Sequence, residues 1–265
     1  MKKRMKTALL LPGGSVRGAF EVGVLKVLIK KITPDVIFGT SVGSINGAMF
    51  LDGPDHAKNL EQLECCWLNI EKSDIFRYNL KILYKFIMVR SIFDPRILKE
   101  QLEMRINARR FSELSGRLII NATEYSDGGN VFFEDGSLID AVIASCSIPP
   151  FFPPHDFNGG LYIDGSINEY AGLKRAAELG CRQVIAVNLL SRIHTRKEAT
   201  RFYETLHHTV QLLGKKLIEH QLKKANIIEI PLISQELDFT DLSHTRELIR
   251  LGEEAAKKVL PRIRA

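Results

Sequence analysis

Cysteine is scarce and unpatterned in this sequence: Cys65, Cys66, Cys146 and Cys181 form no C-x-x-C pair, and no histidine stands near them at zinc-ligand spacing. A disulfide framework and a structural metal site are therefore not expected, and a reducing, cytoplasmic setting is the default. Long apolar runs are missing too. No stretch approaches the roughly 18 apolar residues of a spanning helix, which argues for a soluble chain. Met1 to Lys6 followed by Thr7 to Leu11 looks briefly like a secretory leader, but the apolar part is shorter than the roughly 7 to 15 residues such a leader needs. It reads better as a basic tip on a first β-strand. Internal repeats, low-complexity segments and Pro/Gly/Ser linkers are also absent, so the 265 residues are expected to form one domain over residues 6–260. Nucleic-acid motifs are lacking as well. The net charge of +6 is spread along the chain, and no nucleic-acid partner is expected.

What the chain does have is alternation. Lys6–Leu11, Val36–Phe38, Arg117–Thr123, Val184–Leu189 and Ile227–Ile230 are short, rich in Ile, Val and Leu, and bounded by turn residues, which is the pattern of buried strands. Leu161–Ile163 is a weaker run of the same kind. Between them, helical spacing predicts helices at about Gly18–Ile29, Ser44–Leu51, His56–Ile70, Arg96–Ile106, Leu138–Ala144, Ala171–Leu179, Thr200–Ala225 and Thr245–Val259. This order predicts an α/β fold with a mostly parallel sheet covered on both faces. Its chemistry is expected where strands run into helices.

Two junctions are rich in small residues. Gly39-Thr40-Ser41-Val42-Gly43 fits G-x-S-x-G between an apolar strand and a helix, the setting of a nucleophile elbow: a sharp turn exposes Ser41, and the glycines admit close backbone neighbours. An ordinary Gly/Ser helix cap has the same composition. Pro12-Gly13-Gly14-Ser15-Val16-Arg17-Gly18 follows the first strand. Its backbone N–H groups can form a concave nest for a phosphate or for a tetrahedral oxyanion. A dinucleotide loop would need glycine where Ser15 stands, and a P-loop would need a closing Gly-Lys-Ser/Thr, which is not there. Arg17 either holds this loop, attracts an anionic head group or is a surface arginine.

A serine nucleophile needs a base. The seven histidines, His56, His155, His194, His207, His208, His220 and His244, carry no local signature, although His155 stands nearest the chemistry in sequence. Asp164 is better placed, directly after the apolar Leu161-Tyr162-Ile163 and before Gly165-Ser166, though a lone Asp-Gly is commonly a turn.

Taken in order, Gly13 to Gly18 with Gly23-Val24-Leu25, Gly39 to Gly43, Ala144-Ser145-Cys146-Ser147-Ile148-Pro149-Pro150-Phe151-Phe152-Pro153-Pro154, and Asp164-Gly165-Ser166 resemble the patatin-like phospholipase family. The family usually has glycine where Ser15 stands and Gly or Ala where Ser166 stands. The resemblance implies a three-layer α/β/α fold and a Ser-Asp dyad, with Ser41 as nucleophile and Asp164 as base. It implies an oxyanion hole at Gly13, Gly14 and Ser15, supported by Arg17, Gly18, Gly39, Gly43 and Gly165. It also implies an acyl-lipid substrate, and no metal or cofactor is expected. A soluble esterase or thioesterase, and a non-catalytic lipid- or nucleotide-binding module, are the alternatives. Finally, Phe76 to Arg90 mixes aromatic and aliphatic residues with Arg77, Lys81, Lys85 and Arg90. That composition suits a peripheral membrane helix, a lid or an amphipathic helix packed on the domain.

Overall fold

The first strand, β1 (Thr7–Leu11), is buried along its whole length, and so is β2 (Val36–Thr40). Such runs do not alternate because both faces of the sheet are covered. Leu9 and Leu11 enter one core cluster, while Ala8 and Leu10 enter another on the opposite face. The computed structural model describes residues 5–75, 91–168, 170, 172–191, 209, 212–216, 219–222, 227–233 and 240–264. The segment Phe76 to Arg90, His194, His207, His208 and most of Thr200–Ala225 lie outside the described residues.

Among the described residues eight strands form one sheet. After β1 and β2 come β3 (Leu118–Glu124), β4 (Asn130–Phe133), β5 (His155–Phe157), β6 (Gly160–Asp164), β7 (Gln183–Asn188) and β8 (Ile228–Pro231). The order β3-β2-β1-β7-β8 is parallel throughout. β6 pairs antiparallel with β3, β5 extends that edge, and β4 pairs antiparallel with β3 off the main path.

The helices are α1 (Gly18–Leu28), α2 (Val42–Phe50), α3 (His56–Asn69), the short α4 (Lys72–Ile75), α5 (Pro95–Arg105), α6 (Leu138–Cys146), α7 (Leu173–Glu178) and α8 (Thr245–Val259). Cores of α1, α2, α5, α6 and α8 pack on one face of the sheet; α7, Tyr170 and Leu222 pack on the other. The architecture is thus the expected layered α/β arrangement, with the parallel strands at its centre. The antiparallel β4 and β5 were not anticipated. Each has only three or four residues, too few for a periodic signal.

Two contacts lock the front of the molecule to its C-terminal helix. A Cβ on Gly23 would lie 1.9 Å from the Ile249 carbonyl oxygen, and one on Gly252 would lie 2.0 Å from that of Phe20. α1 and α8 therefore approach backbone to backbone. On its other side, α1 is tied to α2 and α3 by a buried polar cluster. Asn46 Nδ2 donates to the Gly18 carbonyl (3.0 Å) and to Glu21 Oε2 (2.7 Å), and Trp67 Nε1 donates to Asn46 Oδ1 (2.9 Å). Burial pushes the Glu21 carboxyl well above the usual range, against a smaller opposing effect of the Asn46 bond. Trp67 accordingly packs against the core.

Candidate active site

Strand register brings the candidate residues level with one another. Thr40, the last residue of β2, pairs with Asn121 of β3, and Ala122 of β3 pairs with Asp164, the last residue of β6. Ser41, one residue beyond Thr40, therefore stands at the level of Ala122 and Asp164. Two strand spacings, roughly 9–10 Å, separate their backbones, a gap that two inward-leaning side chains close.

The turn at Ser41 is sharp. Its φ of 51° and ψ of −124° lie in a region that non-glycine residues seldom occupy. The turn is possible because its neighbours are small. A Cβ on Gly39 would lie 2.6 Å from Ser44 Cα, and one on Gly43 would lie 2.0 Å from the Leu11 carbonyl oxygen. Ser44 closes the first turn of α2, both its N–H (2.9 Å) and its hydroxyl (2.6 Å) donating to the Ser41 carbonyl. The Ser41 N–H, with no place in either strand or helix, donates to Ser145 Oγ at 2.8 Å.

The glycine loop lies directly against this elbow. A Cβ on Gly13 would lie 3.0 Å from Ser41 Cβ and 2.4 Å from Ser166 Oγ, so only a residue without a side chain fits there. Gly14 faces the Leu189 side chain in the same way, and Gly18 faces Val42 and Trp67. Ser15 takes a positive φ of 50°, the conformation in which glycine would be unstrained. Arg17 is 7% exposed, and burial lowers its pKa, which removes the surface-arginine reading.

Asp164 is 1% exposed. Its N–H donates to the Ser147 carbonyl (3.0 Å), and its Oδ1 accepts from the Ser166 N–H (2.8 Å). Burial pushes its carboxyl upward; the Ser166 N–H hydrogen-bonded to it and the nearby Ser41 and Ser166 hydroxyls pull it back. The result is a carboxyl more basic than an exposed one that still has a donor for its ionised form. Cys146 lies beside the pair. Burial first, and the nearby Asp164 second, push its thiol up, beyond the reach of the Ser44 and Ser41 hydroxyls to offset, so it stays a neutral thiol.

The described histidines are occupied elsewhere. His155 Nε2 pairs with Asp140 Oδ1 at 3.2 Å, His56 with the Ser115 hydroxyl at 2.9 Å, and His244 with Glu247 at 3.3 Å. His220 is exposed. Sequence reasoning gave no role to Asn121, Ser145 or Ser147, which surround the pair, although Ser145 and Ser147 stand in the block that carries the resemblance. Asn121 and Ser145 are also small polar residues inside otherwise apolar runs, Leu118–Glu124 and Leu138–Cys146.

Residues 9–174, which include the glycine loop, the elbow, the 144–154 block and Asp164, match the family described as Patatin-like phospholipase. The chain belongs to that family. Among its patatin-like relatives, a cGAMP-activated phospholipase of Escherichia coli (strain TW11681) is 32% identical over 174 residues, covering 56% of this chain and 47% of that protein. Patatin-like phospholipase domain-containing protein 7 of Mus musculus is 27% identical over 191 residues, covering 71% of this chain and 14% of that protein. The patatin-like chain thus spans about half the length of the first relative and a much smaller share of the second. The crystal structure of VipD from Legionella pneumophila aligns with 98% of this chain and 67% of its own, at a TM-score of 0.53 and 13% identity, a likeness of fold.

Proposed function

We propose that the chain is a serine lipid acyl hydrolase that cleaves carboxylic esters of phospholipids or related acyl lipids, with Ser41 as nucleophile and Asp164 as base. The observation that carries this reading is the approach of the Ser41 hydroxyl to the buried Asp164 carboxyl, whose ionised form it favours, with Gly13 packed against Ser41 Cβ.

The chemistry follows from that contact. As Ser41 Oγ attacks the ester carbonyl, its proton passes to Asp164, whose buried carboxylate is a better acceptor than an exposed one. The carbonyl oxygen becomes an oxyanion, which the N–H groups of Gly13, Gly14 and Ser15 stabilise. Collapse breaks the bond to the alcohol, which takes the proton back from Asp164 and leaves an acyl-serine. Water then gives a proton to Asp164 and attacks the acyl carbon; collapse breaks the bond to Ser41 Oγ, which takes that proton back from Asp164, releasing the fatty acid and restoring both side chains. Gly39 and Gly43 keep the elbow tight, Gly165 keeps the turn after Asp164 close to β3, and Arg17 and Gly18 hold the loop on α1. Residues 6–260 act as one catalytic domain in this reading, because α8 packs on α1 and β8 joins, through β7, the sheet that holds β1.

Lipid as the substrate class follows from family membership. The test is covalent labelling by a fluorophosphonate, which needs an activated serine: wild type should be labelled at Ser41 alone, and Ser41→Ala should not be labelled. A folded wild-type chain that resists the reagent would favour a non-catalytic binding module.

A further inference from the structure

The block Ala144 to Pro154 carries part of the family resemblance, yet none of its side chains has a role in the chemistry above. Ser145 and its neighbour Asn121 are both fully buried, at 0% exposure. Ser145 Oγ accepts the Ser41 N–H at 2.8 Å and donates to the Asn121 carbonyl at 2.6 Å. Asn121 Nδ2 in turn donates to the Gly165 carbonyl at 3.1 Å. A Cβ on Gly165 would lie 2.5 Å from the Asn121 carbonyl oxygen, so the turn after Asp164 rests directly on Asn121.

Followed from end to end, these bonds run from the peptide of the nucleophile to the peptide that follows the base. We infer that Ser145 and Asn121 are positioning residues, a hydrogen-bonded brace that sets the distance between Ser41 and Asp164 without touching substrate. The inference rests on the hydrolase reading.

Two observations separate this from ordinary core packing. Ser41 holds a backbone conformation that costs free energy and persists only where the surroundings dictate it. Its N–H is satisfied by a side chain from a helix 104 residues away in sequence, and not by its own turn. Asn121, moreover, is a poor choice for stability. Its Oδ1 is buried and has no hydrogen-bond partner among the described residues, a liability that an apolar side chain would not carry. Such a liability is expected where a residue is needed for placement.

The brace makes stability and rate respond in opposite directions. Asn121→Leu removes the unpartnered oxygen together with the link to Gly165. Its thermal midpoint should equal or exceed that of wild type, while fluorophosphonate labelling of Ser41 slows about 10-fold or more, because small displacements of reacting groups are costly. On a soluble short-chain ester, kcat should fall and KM should stay within about twofold. Ser145→Ala should slow labelling similarly. If wild type is labelled and a folded Asn121→Leu is labelled at the same rate, the brace is overturned while the hydrolase reading stands. Ser145→Ala decides in the same way if Asn121→Leu does not fold, and collapse of both variants would assign the pair to folding alone and also overturn the inference. Failure of wild type to label would remove the hydrolase reading itself.

Discussion

Gly43→Ala tests whether the elbow depends on a backbone approach. The added Cβ would lie 2.0 Å from the Leu11 carbonyl oxygen and 2.4 Å from its carbon, so α2 and β1 must separate by roughly 1 Å. With backbone as the obstacle, the cost belongs at the upper end of overpacking, about 3 kcal/mol. Better helix propensity of alanine offsets about 1 kcal/mol, leaving a net loss of about 2 kcal/mol. For a chain of this size that lowers the thermal midpoint by about 4–8 °C. The effect on rate should be larger. Leu11 leads directly into the loop whose Gly13 packs against Ser41, so the same displacement opens the candidate active site, and about 1 Å of misplacement costs on the order of 100-fold. Gly180→Ala is the control. Gly180 has a φ of +72° and nothing within 4 Å of an added Cβ, so alanine there costs about 1–2 kcal/mol of backbone strain away from the site. Thermal melts and fluorophosphonate labelling of both variants, at a temperature where both are folded, separate the two effects. Equal labelling rates in Gly43→Ala and Gly180→Ala would refute the argument that this contact positions Ser41.

Two further outcomes depend on pH. Burial raises the Asp164 carboxyl, and the Ser166 hydroxyl is among the groups that counter it by favouring the ionised form. Ser166→Ala should therefore move the acid limb of the kcat/KM profile to higher pH, with rates on the alkaline plateau little changed; an unmoved limb would remove Ser166 from the environment of the base. Among the described groups near Asp164, the titratable neighbour is Cys146, which stays neutral over this range. The Glu21 carboxyl is raised well above its unfolded value by burial, so the folded chain holds a proton that the unfolded chain gives up. Its contribution to stability is greatest at acid pH and declines as pH rises towards the folded pKa. Relative to wild type, Glu21→Gln should gain about 1.4 kcal/mol per pH unit across that window in denaturant titrations, and a difference independent of pH would mean that Glu21 titrates normally.

Much of this arrangement could be read from local sequence. The strands were visible because Thr7–Leu11, Val36–Thr40 and Gln183–Asn188 are buried on both faces and so appear as unbroken apolar runs. Ser41 and Asp164 were visible because each stands at a strand end with glycine beside it. What local sequence could not supply was distance. Ser145 and Asn121 meet the elbow across 104 and roughly 80 residues of chain, through a register that depends on the whole sheet. Burial was hidden as well: nothing in Pro12 to Gly18 distinguishes an arginine inside the protein from one on its surface, yet Arg17 is inside. The departures at Ser15 and Ser166 were legible as departures. Their consequences, a serine at positive φ and an additional hydroxyl near Asp164, required coordinates.

The central claim is that Ser41 and Asp164 together cleave a lipid ester. Its most direct test is fatty-acid release from phospholipid vesicles by purified wild type, Ser41→Ala and Asp164→Asn, each checked for folding by its thermal melt. The account predicts release by wild type and a loss of several orders of magnitude in both variants, about 10³-fold or more. Near-wild-type release by a folded Asp164→Asn would contradict the dyad, and the absence of release by wild type from any phospholipid or related acyl ester would contradict the proposed function.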